Sequence, residues 1–229
     1  MLGKSLTVFG VSRPMVITDP GIKAVGLLDT ILENLGMEPA AVFAETVANP
    51  TEDQAIAVAE QYNAAKADGL VALGGGSAMD LTKAVGLLAS QGGPLEKYAA
   101  ITGGAKHIGK LLPLIAISSS SGFVSVGSVG MITSLNIGRK ETFASPHLIP
   151  AAAICDPDLT LGLPPFLTAA TGMDAVTHCI EAVLTPAINP PAEGVGYDGL
   201  NRAIKTGALK RAVTDGSDKD ARWNMMMAI

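Results

Sequence analysis

Residues 69–85 read Gly69-Leu70-Val71-Ala72-Leu73-Gly74-Gly75-Gly76-Ser77-Ala78-Met79-Asp80-Leu81-Thr82-Lys83-Ala84-Val85. Leu70 to Leu73 form an apolar run without alternation, the pattern of a parallel strand covered on both faces. Three glycines then turn the chain and remove every Cβ. Ser77 is a candidate cap, and Met79, Leu81, Val85 and Leu88 keep helical spacing. Strand, glycine turn and helix N-terminus in succession make an anion site, because the first N–H groups of the helix point outward and its dipole favours a phosphate. The same sequence pattern also serves as a plain strand-to-helix turn with no ligand.

Upstream, the pattern repeats twice. Residues 1–12 have no clear period. Met15 to Thr18 read as a short strand, and Asp19-Pro20-Gly21 as a turn and helix start. Val25, Leu28, Ile31, Leu32 and Leu35 mark one face of the helix that should follow. Ala41 to Phe43 form a second strand, Asn49-Pro50-Thr51 breaks the chain, and Thr51 is a candidate N-cap for a helix running to about residue 68. The glycine stretch is thus the third strand-to-helix unit. Such alternation specifies a parallel α/β sheet with right-handed crossovers, in which ligands bind outside the carboxyl ends of the strands. Asp19 and residues 74–77 fall at that edge. A carboxylate there can accept hydrogen bonds from ribose hydroxyls and repel a 2′-phosphate, or it can simply cap its helix.

Downstream, residues 91–111 read as a loop and 112–117 as another buried strand. The run Ser118-Ser119-Ser120-Ser121-Gly122 can offer hydroxyls to a nucleotide or form a solvated turn. Residues 129–133 and 151–155 read as later strands, with Arg139-Lys140-Glu141 between them as an exposed turn. From Asp156 the pattern changes. Prolines punctuate the chain, and helical spacing follows over about 165–184, 192–213 and 218–229. The boundary is placed near residue 163: an α/β domain over 1–163 and the start of a helical domain over 164–229.

The 229 residues are 48% hydrophobic, 16% charged and 4% aromatic, with a formal net charge of −5. A sizeable core is available. With no basic block and few aromatics, nucleic acid is not an expected partner. No apolar run reaches the length of a membrane span, and the start carries no secretory pattern, so the expectation is a cytoplasmic protein away from membranes. Cys155 and Cys179 lie in apolar segments and suggest no disulfide framework.

A second chemical signal lies at Thr171-Gly172-Met173-Asp174-Ala175-Val176-Thr177-His178. Asp174 and His178 are four apart and share a helix face, so a carboxylate oxygen and an imidazole nitrogen could grip one divalent metal. A hydrogen-bonded surface pair has the same spacing, and catalytic metals usually take three or more protein ligands. The chain has three histidines, and neither His107 nor His147 offers an obvious third ligand.

Taken together, the chain resembles the iron-containing (group III) alcohol dehydrogenases over essentially its whole length. The resemblance is carried by Asp19-Pro20-Gly21, Asn49-Pro50-Thr51, Gly74-Gly75-Gly76-Ser77-Ala78-Met79-Asp80 and, most specifically, Leu167-Thr168-Ala169-Ala170-Thr171-Gly172-Met173-Asp174-Ala175-Val176-Thr177-His178. It implies an N-terminal dinucleotide-binding domain, a C-terminal all-helical domain and an active site between them. It further implies that Asp19 faces the adenosine ribose and selects NAD over NADP, and that Asn49 approaches the nucleotide. Gly75, Gly76 and Ser77 would cradle the pyrophosphate, with Asp80 in the same motif. Ser119 and Ser120 would lie near the nucleotide, Lys140 would reach the nicotinamide ribose, and Asp174 and His178 would be two metal ligands for Fe²⁺ or Zn²⁺. The substrate would be a small alcohol or aldehyde.

The resemblance also implies a longer protein, with opening strands before residue 1 and two further histidine ligands after residues 221–229. The run Gly122-Phe123-Val124-Ser125-Val126-Gly127 departs from the family's small-residue pattern at the nicotinamide end. An incomplete helical domain would expose Val176, Ile180 and Val183 and leave residues 225–229 without a partner, favouring association of copies. The alternative to an active dehydrogenase is therefore a truncated nucleotide-binding remnant.

Overall fold

The computed structural model describes residues 1–120 and 124–228. Its strands are β1 (Pro14–Ile17), β2 (Ala41–Phe43), β3 (Gly69–Gly74), β4 (Leu114–Ser118), β5 (Val129–Ser134), β6 (Arg139–Ala144) and β7 (Ala152–Ile154). Five of them form one sheet in the order β2-β1-β3-β4-β7. The pairs β1–β2, β1–β3 and β4–β7 are parallel, with Val16 opposite both Val42 and Val71. Every residue of β1, β3 and β4 is buried, as the unbroken apolar runs require when helices cover both faces of a sheet. The expected parallel α/β architecture is the one observed.

The helices of this part are α1 (Leu2–Val8), α2 (Pro20–Ala24), α3 (Leu27–Glu33), α4 (Glu52–Ala64) and α5 (Gly76–Gln91). Met15, Ile17, Leu70 and Ala72 of the sheet pack with Val58 and Tyr62 of α4 and Leu81 and Val85 of α5. Each large apolar side chain fully buried there contributes about 1.5–3 kcal/mol. Thr51 caps α4 as expected, its hydroxyl accepting from the Gln54 N–H at 3.3 Å.

Several expectations are corrected. Residues 1–12, read without a period, hold α1, whose Leu2 and Leu6 are buried. The single helix expected after Asp19 is two, because Gly26 adopts φ 77 and breaks it. The 91–111 loop contains three short 3₁₀ turns, Leu95–Tyr98, Ala100–Thr102 and Gly104–His107. The exposed turn expected at Arg139-Lys140-Glu141 is instead the start of β6. It pairs antiparallel with β5 as a separate hairpin, and Thr133 stands opposite Lys140. From Glu141 on, buried side chains of β6 alternate with half-buried ones, a pattern that the charged run at its start hides.

The chain divides into two compact units, Met1–Ile117 with Ser125–Ile154, and Ser118–Val124 with Cys155–Ile229. The second holds α6 (Pro165–Leu184), α7 (Pro190–Leu200), a π-helical turn (Asn201–Lys205), α8 (Ala208–Thr214) and α9 (Lys219–Met226). The helix expected over 192–213 is therefore broken, with Gly207 in the left-handed region (φ 72) before α8. Val176, Ala203, Ala208, Ala212, Ala221, Met225 and Ala228 form a core of their own. The expected exposure of Val176, and of Met225 and its neighbours for want of a partner, is thus overturned. Small residues let the helices approach closely: a Cβ on Gly172 would lie 2.4 Å from Leu209 Cδ1. Arg222 is buried, has no carboxylate partner among the described residues, and donates to the Gly216 and Leu163 carbonyls and to Thr168 Oγ1. Ile180 does remain 42% exposed and lines an apolar recess of ≈ 530 Å³ with Val176, Tyr197, Leu200 and Ile204. Among the described residues no helix is long and apolar enough to cross a membrane.

Candidate nucleotide-binding site

In the observed strand order the chain leaves β1 toward β2 on one side and returns to β3 on the other. The crevice outside the carboxyl ends of β1 and β3 is therefore the topological switch point, the place where open α/β sheets bind ligands. Asp19 follows β1 there, and residues 74–77 follow β3.

Asp19 caps α2, its Oδ1 accepting from the Ile22 N–H at 3.0 Å. The cap and the ribose reading are not exclusive, since Oδ2 turns toward the glycine turn: a Cβ on Gly74 would lie 3.0 Å from it and 3.0 Å from Ala78 Cβ. Gly74 has φ 144, which side-chain-bearing residues rarely adopt. Position 74 thus needs glycine for both space and backbone. Gly75 is the N-cap of α5, and among the described residues no side chain caps that end. This corrects the reading of Ser77 as the cap: Ser77 lies inside the first turn, and its hydroxyl accepts from the Asn49 N–H at 3.3 Å. The start of this 16-residue helix thus has no side-chain cap among the described residues. A Cβ at Gly76 would fill the cradle to within 3.3 Å of Ser125 Oγ. The cradle fits the pyrophosphate of a dinucleotide.

Asn49 holds φ 54, the left-handed conformation that Asn tolerates better than most residues. Its carbonyl accepts from Thr133 Oγ1 at 3.3 Å, and the Pro50 carbonyl accepts from the Thr133 N–H at 2.8 Å. The hairpin β5–β6 is thereby fastened to the loop that touches Ser77. Lys140, across the ladder from Thr133, is exposed and belongs to the same neighbourhood.

Asp80 lies one turn into α5 and is 8% exposed. Burial pushes its carboxyl up to about 6, against the opposing pull of the Ser125 hydroxyl, Lys83, the Met131 N–H and Lys140. Its Oδ1 has no hydrogen-bond partner among the described residues. Lys83, three residues on, is 2% exposed. Its ammonium donates to the Gly127 carbonyl at 2.7 Å and to the Val129 carbonyl. Burial lowers its pKa to about 8, with the Asp80 carboxylate opposing. Sequence reading passed over Lys83 and Ser125. The available signal was two charges, at 80 and 83, in a helix otherwise apolar or small from 78 to 87.

The remaining expected residues belong to the second unit. Ser119 and Ser120 are both buried, and the Ser120 carbonyl and N–H pair with Ser118 Oγ. Asp174 and His178 share a face of α6, with Asp174 Oδ1 3.6 Å from His178 Nε2 and Glu181 Oε2 3.6 Å from Nδ1. No group of three His, Cys, Asp or Glu side chains able to hold a metal occurs among the described residues. The described residues thus offer a metal two donors but do not complete a site. Ser121, Gly122 and Phe123, which carry part of the serine run and of the departure at the nicotinamide end, lie outside the described residues.

A parallel sheet with a glycine turn and a carboxylate at its switch point defines a doubly wound α/β protein. The family description "Iron-containing alcohol dehydrogenase" matches residues 1–157, and the chain belongs to that family of oxidoreductases. It is 50% identical over 220 residues to the 4-hydroxybutyrate dehydrogenase of Cupriavidus necator, covering 96% of this chain and 57% of that protein. It is 36% identical to alcohol dehydrogenase 4 of Schizosaccharomyces pombe, covering 98% and 53%. The crystal structure of a 1,3-propanediol oxidoreductase superposes with TM-score 0.92 at 30% identity, over 99% of this chain and 59% of that one. The sulfoacetaldehyde reductase from Bifidobacterium kashiwanohense, solved in complex with NAD⁺, superposes with TM-score 0.89 at 25% identity, covering 99% and 60%. The chain therefore spans between half and three fifths of the length of these relatives.

Proposed function

We propose that this chain is the nucleotide-binding part of an NAD-dependent, metal-dependent dehydrogenase that interconverts a small primary alcohol and its aldehyde. The observation that carries the reading is the convergence of Asp19, Asn49 and the uncapped turn at residues 74–77 on the β1/β3 switch point. The names of the relatives, a 4-hydroxybutyrate and a 1,3-propanediol enzyme among them, support the substrate class.

Bound NAD would supply the hydride acceptor. The protein's part is to bind and orient it. The N–H groups at the start of α5, around Gly75, Gly76 and Ser77, hold the pyrophosphate, and Asn49 keeps Ser77 in place. Asp19 accepts from the adenosine ribose hydroxyls, and its charge repels a 2′-phosphate, which selects NAD over NADP. Ser119 and Ser120 lie along the nucleotide, and Lys140 serves the nicotinamide ribose. Asp80, buried beneath the hairpin, supports the motif from below. Asp174 and His178 are two ligands toward Fe²⁺ or Zn²⁺. Two free cysteines suit the reducing cytoplasm, and the exposed Phe166 and Ile188 of the helical unit suit association of copies.

A second reading, nucleotide binding without turnover by these 229 residues, is supported by the metal pair, which offers two donors among the described residues. Titration of the 229-residue chain with NADH and NADPH, followed by fluorescence, tests both. Saturable NADH binding with much weaker NADPH binding supports the site. Alcohol oxidation on adding Fe²⁺ then separates turnover from binding alone. Absence of saturable NADH binding would refute both readings.

A further inference from the structure

Lys83 is a buried cation that touches no open surface of the site, yet the hairpin rests on it. Its Nζ donates to the carbonyls of Gly127 and Val129, where the chain enters β5. The backbone there lies against its stem, since a Cβ on Gly130 would come within 3.3 Å of Lys83 Cδ and 3.6 Å of Lys83 Cβ. Asp80, on the same face of α5, lies beneath the same stretch: a Cβ on Gly130 would come within 3.8 Å of its Oδ1. The far end of β5 is fastened separately, through Thr133, to Asn49 and Pro50, and Asn49 in turn to Ser77. The hairpin is thus tied to α5 at both ends, once through Lys83 and once through the loop that meets Ser77. Lys140 projects from the strand opposite Thr133.

We propose that Lys83 is a positioning residue for the nicotinamide half of the nucleotide: by clasping the entry to β5 it fixes the hairpin, and with it Lys140, in register with the phosphate cradle at the start of α5. An ammonium suits this role because it serves two carbonyls at once from a stem that threads an apolar helix face. The inference rests on the NAD reading of the site for its ligand half, and on the hydrogen bonds alone for its structural half.

The test is Lys83→Met, which keeps the length of the stem and removes the charge. In hydrogen exchange, the β5–β6 ladder amides should lose protection while those of β1 and β3 keep theirs. In binding, NADH affinity should fall about tenfold, the scale of one charge-assisted contact. AMP, which lacks the nicotinamide half, should bind within about twofold of wild type. Because Lys83 acts through Lys140, combining Lys83→Met with Lys140→Met should weaken NADH no more than the worse single change. Equal loss of AMP and NADH, or unchanged exchange in the hairpin, would overturn the proposal, as would additive effects of the two changes. If Lys83→Met does not fold, Gly130→Ala replaces it. That change keeps the ammonium and presses on its stem, and it should open the same amides selectively. Failure of the wild-type chain to bind NADH would instead refute the NAD reading, and the exchange result would then decide the clasp alone.

Discussion

Gly76→Ala separates binding from stability at the cradle. Position 76 begins α5, where alanine is a better helix former than glycine by up to about 1 kcal/mol. Against this, the added methyl would stand 3.3 Å from Ser125 Oγ, a tight contact that the hydroxyl can relieve by moving a few tenths of an ångström. The two effects offset each other, so stability should change by no more than about 1 kcal/mol, or roughly 2–4 °C in Tm for a chain of this size. Nucleotide binding should respond quite differently. The methyl occupies the space through which a phosphate must approach the uncapped N–H groups, and a hydrogen bond to a charged group is worth about 1.5–3 kcal/mol. NADH affinity should therefore fall by roughly 10- to 150-fold. Thermal unfolding by circular dichroism and NADH fluorescence titration on the same sample measure both quantities. A variant that melts within that window and still binds NADH as tightly as wild type would mean that no phosphate approaches the start of α5.

Two further outcomes concern the same elements. Gly74→Ala combines φ 144 with contacts at 3.0 Å to Asp19 and Ala78, whereas Gly103→Ala has φ 74 and open space around it. Calorimetry should give a loss of about 1 kcal/mol for Gly103→Ala and about 2–3 kcal/mol for Gly74→Ala; equal losses would show that the close approach at Gly74 costs nothing. The second outcome is a pH profile. The Asp80 carboxyl is raised to about 6, so folding favours its neutral form: its contribution is fully present below about pH 4 and is lost as pH rises through about 6, amounting to roughly 3 kcal/mol. Lys83, lowered to about 8, acts in a separate window, contributing most above its ordinary pKa and losing that as pH falls through about 8. Urea unfolding of wild type and Asp80→Asn should therefore diverge between pH 4 and 7, and parallel curves across that range would refute the assignment.

Much of this architecture is legible in the residues. The unbroken apolar runs of β1, β3 and β4 predict strands buried on both faces, and repeated alternation with helices predicts the parallel sheet. Thr51 announces its own cap. Where reading failed, long-range geometry decided. Gly26 and Gly207 break helices that periodicity alone joins, because a left-handed turn leaves the apolar spacing nearly intact. The charged start of β6 reads as a turn because its partner, β5, is what makes it a strand. The second unit was expected to expose Val176 and leave Met225 without a partner, yet α8 and α9 cover them with alanines, residues too small to mark a face by size.

The cradle and the clasp differ in legibility for one physical reason. A phosphate site is built from backbone N–H groups, so the sequence must supply what is absent: three side chains removed at residues 74–76, and no capping side chain at Gly75 among the described residues. Such absences show directly in a string of glycines. The clasp is built from a side chain and distant carbonyls, and carbonyls carry no residue identity. Lys83 could equally have been a solvated lysine on the outer face of its helix; only the hairpin over residues 127–131 turns it inward. What the sequence does record is the cost. An ammonium and a carboxylate stand on a helix with no polar face to receive them, and each buried charge requires a partner to be tolerated. Charges without a polar face are therefore the place to look for tertiary ties that motif reading misses, and in this chain they lead from the start of α5 to the hairpin that carries Lys140.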